Sequence, residues 1–337
     1  MSDRTGVLVT GGAGFIGSAF VRSALERRPD ASVVTLDALT YAGSLANLRG
    51  LPDRHTFVEG DIRDGALVRQ VLDGHGIGLV VHLAAESHVD RSISGPAAFV
   101  ETNVLGTQVL LDACREAGGV RFHHVSTDEV YGDLGPDDPA FSERTPYAPS
   151  SPYSASKAGS DHLVRAYART YGLPVTITNC SNNYGPRQYP EKLIPVVVLR
   201  AAAGEPIPVY GDGRNVRDWL YVEDHCDAIW TVIERGDLGQ TYNVGGHAEV
   251  DNLTLVETLC AILDERRPGA SPHADLIEFV TDRPGHDRRY AVDTAKIAGL
   301  GGAPRQSLRT GLETTVDWYL ANPDWVGAVL HRTDPAT

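Results

Sequence analysis

Positive charge is scarce in this sequence. Its 30 lysines and arginines stand against 44 aspartates and glutamates, a formal net charge of −14. Such a surface disfavours nonspecific binding to nucleic acid or to an anionic membrane, so a phosphate-bearing ligand has to be met by a local cluster of donors. Long apolar runs are missing as well: none approaches the ~20 residues that a spanning helix needs. A short polar start leads at about Gly6 into an apparent strand, so no secretion signal is read. Cysteine is sparse and scattered. Cys114, Cys180, Cys226 and Cys260 show no CxxC and no nearby histidine at metal spacing. They are expected as free buried thiols in a reducing compartment, with no bound metal and a cytoplasmic location. Internal repeats and low-complexity tracts are absent too.

What remains is ordinary for a globular enzyme: 337 residues, 42% hydrophobic and 22% charged. The first half alternates short β-branched runs with helical stretches. "VLVT" (7–10), "SVVTL" (32–36), "HTFVEG" (55–60), "GLVVHLA" (78–84), "RFHHVS" (121–126) and "PVTITNC" (174–180) read as strands. Helices are predicted over about 96–117 and 152–171. That order implies right-handed βαβ units, hence an α/β fold with a Rossmann-like, doubly wound parallel sheet over residues 1–180. Beyond about 181 the elements become mixed and the loops rich in glycine and proline. Residues 181–337 are expected to form mainly a smaller C-terminal substrate-binding lobe, with segments from about 214–245 returning to the first domain.

"VTGGAGFIG" places Gly11, Gly14 and Gly17 between a strand and a helix expected to open near Gly14, with Phe15 and Ile16 among the candidate cofactor residues. Glycines there permit a tight turn and let the backbone approach a pyrophosphate at the positive helix end. Asp37, twenty residues beyond Gly17, ends the next strand. A carboxylate in that place accepts hydrogen bonds from the adenosine ribose and repels a 2′-phosphate. No lysine or arginine lies between Asp37 and Leu48, which favours NAD over NADP. Asp61 and Ile62, after the third strand, are placed to meet the adenine; equally, they read as a helix cap and a core residue.

"SPYSASK" sets Tyr153 and Lys157 four apart near a helix start, on one face. A phenol with a pKa of about 10 is a poor base at neutral pH. A neighbouring ammonium and the positive helix end are expected to draw it down. The Thr127 hydroxyl completes a set of three around one sugar oxygen.

With the glycine turn, this set resembles the extended short-chain dehydrogenase/reductase superfamily. "LAAESHVDRS", "STDEVYG", "NCSNNYGP", "PEKLIP", "GDGRNVRDWLYVEDH" and "DRPGHDRRY" narrow the resemblance to the dTDP-glucose 4,6-dehydratase family, over nearly the whole chain. That resemblance implies an NAD-dependent hydro-lyase, a nucleotide-sugar substrate (dTDP-glucose) and a homodimer. The reaction oxidises carbon 4, eliminates water across carbons 5 and 6, and returns the hydride to carbon 6. It needs a base and an acid beside a new ketone, and the resemblance implies Glu129 as base at carbon 5 and Asp128 as acid toward the carbon 6 hydroxyl. Environment can hold two neighbouring carboxyls in opposite protonation states. Related epimerases oxidise carbon 4 without elimination and typically lack the pair.

The resemblance extends the cofactor set to Ala38, Leu39, Thr40, Leu83, Ala84, Ala85, Ser87, Thr102 and Asn183. It assigns substrate contacts to Ser87, Thr127 and Asn182, and to Lys192 and Leu193 at a helix start that can meet a diphosphate. Arg217 offers a forked guanidinium to the same group, or else pairs internally with Asp218 or Asp224. Pro208, Val209 and Tyr210 are expected to line the base pocket. Asn252 and the loop Asp282, Arg283, Pro284, Gly285 and His286 are expected to close over the nucleotide. His88 is left out of the candidate site, since a core histidine is an alternative reading of it. Arg187 stands where many relatives carry an aromatic residue.

Overall fold

The structure is a computed structural model that describes residues 4–282 and 287–330, and every element named belongs to those residues. Runs of five to seven residues pair side by side: β1 (Gly6–Thr10), β2 (Val33–Asp37), β3 (His55–Glu59), β4 (Ile77–His82), β5 (Arg121–Thr127) and β6 (Val175–Cys180). With β10 (Thr241–Val244) they form a seven-stranded sheet, ordered β10-β6-β5-β4-β1-β2-β3 and parallel throughout. Because strand side chains alternate, Leu8 faces one layer while Val7 and Val9 face the other.

The first layer contains α2 (Gly65–Gly74), α5 (Thr107–Ala117) and α6 (Pro152–Tyr171), packed around Val68, Leu72, Leu110 and Val164. Short helices α3 (Val89–Ser94) and α4 (Pro96–Phe99) precede α5. The second layer is α1 (Phe15–Arg27) with α8 (Val222–Arg235), whose Phe20 and Trp230 rings stack 5.0 Å apart. Both layers are apolar, so the sheet is covered on both faces as a parallel sheet requires.

The smaller lobe holds α7 (Leu193–Ala203), α9 (Asn252–Arg266), α11 (Leu308–Ala321) and α12 (Pro323–Leu330), with a core that includes Val197, Leu259, Leu312 and Trp325. Two small sheets complete it, ordered β11-β9-β7 and β12-β8. Their strands are β7 (Asn182–Tyr184), β8 (Ile207–Tyr210), β9 (Val216–Tyr221), β11 (Glu249–Asp251) and β12 (Ile277–Val280); the short α10 is Ala295–Ala298. Within the span 214–245, β9 pairs in the small sheet, whereas α8 and β10 belong to the large one.

The helix expected over 96–117 differs in one respect: Val100–Gly106 is wound as a π-helix between α4 and α5. The wider turn places Thr102 and Asn103 in it, and Asn103 grips both backbone groups of Glu86 at 2.9 Å. π-turns of this kind are frequent at functional sites.

Candidate active site

A parallel sheet presents its strand C-termini on one edge, and a crevice opens where the strand order reverses. Here the reversal lies between β1 and β4, and the cleft there has a volume of about 520 Å³. Its floor is the glycine turn after β1. Gly11 adopts φ +70°, and a Cβ on it would come within 2.7 Å of the Ala84 backbone. A Cβ on Gly17 would lie 2.0 Å from the Gly11 carbonyl oxygen, so only glycine lets helix α1 begin this close to the turn. Gly14, Phe15 and Ile16 line the same end of the cleft.

Asp37 is buried and lines the cleft. Its Oδ2 accepts from the Ala13 N–H at 2.9 Å and its Oδ1 from the Leu39 N–H at 2.8 Å. Ala38 and Thr40 line the cleft beside it; Leu39 does not, and sits at φ +50°. Asp61 and Ile62 reach the cleft too, but neither caps a helix: Asp64 caps α2, while Asp61 holds the Arg63 guanidinium at 2.7 Å. Arg63 also bonds Glu101 at 2.7 Å, so the cation nearest this end is already neutralised by two carboxylates. Ile62 is both core and lining. Leu83, Ala84, Ala85 and Ser87 form the wall after β4, and Thr102 lines the cleft as well. Glycine turn, ribose carboxylate and a cleft of this size fit a dinucleotide.

The cleft's far end holds the chemistry. β5 ends at Thr127, whose Oγ1 accepts from the Glu129 N–H at 3.3 Å and so caps the single 3₁₀ turn Asp128–Tyr131. The strand end thereby delivers Asp128, Glu129 and Thr127 to the wall that Tyr153 and Lys157 occupy on α6. A capping box of Ser151 and Ser154, with Pro152 at the first turn, fixes where α6 starts and hence where both side chains point.

Asp128 is buried, and its carboxyl is pushed well above the usual range by that burial, then by the charges of Glu129 and Asp218, against a partial pull from Arg217. Its surroundings favour the protonated form, and its Oδ2 has no hydrogen-bond partner among the described residues. Buried hydroxyls of Ser126 and Ser181 in the same wall are equally without partners among those residues. Buried polar atoms seldom stay unsatisfied, so these three mark where a polar ligand sits.

Tyr153 corrects the sequence reading. Its phenol is not drawn down: burial first, then the Glu129 carboxylate, push it well above its ordinary value, and only the hydrogen bond to Thr127 pulls the other way. Lys157 is itself depressed to about 8 by burial, partly offset by Asp161, and its Nζ donates to the Val125 carbonyl at 2.8 Å. Low dielectric penalises charge on both groups, and helical spacing alone does not reveal that.

Asn182 and Asn183 enter the cleft from β7, and Lys192 enters from the N-cap of α7. The Asn183 amide is fixed by the Ser181 carbonyl at 2.9 Å and by His225 at 2.8 Å. Leu193, Pro208, Val209, Tyr210, Arg217, Asn252 and Asp282 do not line this cleft. Leu193 begins α7 and packs on the lobe core, while Asn252 begins α9. Tyr210 is exposed and Pro208 half-buried on β8, but Val209 between them points into the core. Strand alternation thus removes the Val209 side chain from the expected base pocket. Asp282 lies against Gly211, and Arg283, Pro284, Gly285 and His286 lie outside the described residues.

The Arg217 guanidinium pairs with neither Asp218 nor Asp224 by a hydrogen bond. It donates to the carbonyls of Val216 at 2.7 Å and Asp287 at 2.9 Å and lies over the Tyr290 ring. Asp218 instead accepts from the backbone of Gly246 and Ala248, and Asp224 from Gln306. His88 is not a core residue; it caps α3 and faces Glu191 at 3.6 Å. Sequence reasoning passed over Tyr41, Glu86, Cys180, Tyr189 and Glu191, all in the cleft wall. Tyr41, Glu86 and Glu191 stand directly beside residues already singled out, so motif adjacency was the available signal for those three. Arg187, at φ +69°, lays its planar guanidinium 5.4 Å over Trp318, in the manner of an aromatic partner.

A family model described as GDP-mannose 4,6 dehydratase matches residues 8–315. The chain is 58% identical to a dTDP-glucose 4,6-dehydratase of Xanthomonas campestris pv. campestris (strain B100), over 96% of this chain and 95% of that protein. It is 54% identical to dTDP-glucose 4,6-dehydratase 1 of Escherichia coli (strain K12), over 96% of this chain and 95% of that one. Among solved structures it is similar to DesIV, a dTDP-glucose 4,6-dehydratase from Streptomyces venezuelae solved with NAD bound. There the identity is 49%, the TM-score 0.89, and the coverage 96% of this chain and 99% of that one.

Proposed function

Because the chain belongs to the dTDP-glucose 4,6-dehydratase family, we propose that Tyr153, Glu129 and Asp128 share out the three proton transfers of its reaction. The activity is that of an NAD-dependent hydro-lyase, turning dTDP-glucose into dTDP-4-keto-6-deoxyglucose. NAD, when bound, supplies the hydride acceptor for carbon 4 and gives the hydride back at carbon 6. The glycine turn, Asp37 and Asn183 hold and orient it.

The residues of the chain move the protons. Tyr153, beside Thr127, takes the carbon 4 hydroxyl proton in its phenolate form, which burial disfavours in the free protein and which the Lys157 ammonium and the positive ring of NAD would favour when the cofactor is bound. Glu129 takes the proton from carbon 5, which the adjacent ketone has made acidic. Asp128 gives its proton to the departing carbon 6 hydroxyl, so water rather than hydroxide leaves. The observation that carries this reading is Asp128: a buried carboxyl whose surroundings favour its protonated form, beside a second carboxyl in one wall with the phenol. Lys192 and the start of α7 are assigned to the diphosphate, and Pro208 and Tyr210 to the base.

A homodimer fits the exposed Val100, Leu105 and Tyr171 on the helical stretch 96–117 and on α6. Among the described residues no helix is long and apolar enough to cross a membrane, and all four cysteines are free and buried. Both facts support a cytoplasmic reading.

Incubation with dTDP-glucose should yield a 4-keto-6-deoxy product without net consumption of NAD. Interconversion of hydroxyl epimers with no loss of water, or steady accumulation of reduced cofactor, would overturn the assignment. Asp37→Asn removes the charge near the ribose while keeping one acceptor. Its preference for NAD over NADP, measured as a ratio of dissociation constants, should shrink by about tenfold; an unchanged ratio would remove Asp37 from cofactor choice.

A further inference from the structure

The cofactor end of the cleft is tied to the far end of the chain. Trp325 on α12 is buried among Trp318 and Tyr319, 4.9 and 6.1 Å away between ring centres. Its indole N–H leaves that cluster and donates to Asn47 Oδ1 at 2.8 Å. Asn47 is buried, and its Nδ2 donates to the Ala13 carbonyl at 2.8 Å. Ala13 lies inside the glycine turn, and its N–H donates in turn to Asp37 Oδ2 at 2.9 Å. Three hydrogen bonds thus run from the last helix of the sugar lobe, across the lobe boundary, to the carboxylate assigned to the ribose. Arg22 adds a bond to the Asn47 carbonyl, and Ser44 N–H a second bond to the Ala13 carbonyl.

The Ala13–Gly14 peptide is held on its C=O by Asn47 and Ser44 and on its N–H by the Gly11 carbonyl at 3.1 Å, and the preceding peptide is held by Asp37 on the Ala13 N–H, so neither is free to rotate; the amides of this turn are the groups that approach the pyrophosphate. The Asn47 side chain by itself has other rotamers open to it. With Oδ1 taken by the indole, its amide is oriented so that Nδ2 faces Ala13. The aromatic cluster is stiff: three large rings packed edge to face hold the donor in place. Across the cleft the same cluster reaches a second wall, because the Tyr319 hydroxyl bonds the Gln188 carbonyl and Gln188 Nε2 bonds the Asn183 carbonyl at 2.9 Å.

We propose that Trp325 is a positioning residue for the dinucleotide, acting through Asn47 to hold the Ala13–Gly14 peptide of the glycine turn in its binding conformation. The consequence for the reaction is retention. One cofactor molecule has to stay in place from the oxidation at carbon 4 to the reduction at carbon 6, so a turn fixed from the sugar lobe keeps the two half-reactions on one protein. The inference rests on the NAD reading of the cleft.

The test is a double-mutant cycle read by NAD binding rather than by activity. Trp325→Phe keeps the ring packing and deletes the donor; Asn47→Leu keeps the volume and deletes both links. NAD titration of the unaltered protein comes first, and failure to bind there would overturn the cofactor reading itself. Given binding, Trp325→Phe should raise the dissociation constant for NAD by about tenfold, the scale of one buried hydrogen bond lost. The dissociation constant for dTDP should stay unchanged. In the Asn47→Leu background the same tryptophan change should add nothing further, because the route is already cut. A Trp325→Phe protein that melts earlier yet binds NAD as tightly as before would show a purely structural tryptophan and overturn the proposal. So would equal, additive losses in the two backgrounds.

Discussion

With Glu129 changed to glutamine, turnover of dTDP-glucose should fall by about 10²–10⁴-fold, the usual contribution of a positioned acid or base. NAD should bind as before. The substitution is nearly isosteric, and the turn that carries residue 129 is fixed through its backbone N–H on Thr127, which glutamine retains. What is lost is a basic lone pair beside carbon 5. The Asp128 carboxyl should stay raised in the variant, because burial outweighs the Glu129 charge among the causes of its shift. The block therefore falls on proton removal and not on the departing hydroxyl. Chromatography of quenched reactions should show no 4-keto-6-deoxy sugar. Deuterium from heavy water, which enters carbon 5 during normal turnover, should be missing from the sugar. Product formed at the unaltered rate would take the base role away from Glu129.

Tyr153→Phe should have a comparable effect, about 10³-fold on kcat, by removing the acceptor for the carbon 4 proton. The ring stays in its packing against Phe99, so folding and NAD affinity should change little. The pH profile carries the electrostatic part of the claim. Lys157 is depressed to about 8 by burial, so its ammonium is present below that pH and is lost as pH rises through it. The phenol lies well above its ordinary value, so deprotonation of the free tyrosine does not compensate in the same range. Accordingly kcat/KM should decline above about pH 8. The Asp128 proton is also lost with rising pH, which bends the profile the same way. Lys157→Met separates the two: its plateau should drop, and the limb near pH 8 should vanish. An unaltered protein whose profile stays flat well above pH 8 would remove the lysine charge from the mechanism.

The expected strands coincide with the observed ones to within about two residues at their ends, a spread normal for element boundaries. Their signal was dense: β-branched runs, glycine between β1 and α1, a capping box before α6. Most candidate cofactor residues lie in one cleft for the same reason, since strand-end motifs of a parallel sheet all emerge on one edge. The helix over 96–117 kept its extent but not its winding, because a π-turn leaves no mark in apolar spacing. Val209 was misplaced because its neighbours' motif was read as a block, whereas a strand sends alternate side chains to opposite faces.

The order of elements, the glycine turn, the ribose carboxylate and the presence of two adjacent carboxyls were set by sequence alone, for each depends on residues a few positions apart. Protonation was decided only in three dimensions. The Asp128 carboxyl is raised because the fold removes water from it and brings Glu129 and, from β9, Asp218 close, against the opposing pull of Arg217; Tyr153 is raised, not lowered, by the same burial. The bond from Trp325 to Asn47 joins residues 278 positions apart, and no local pattern encodes it. Backbone geometry follows from short-range sterics and periodicity, but charge state and long hydrogen-bonded links follow from which distant segments come to share a dry space.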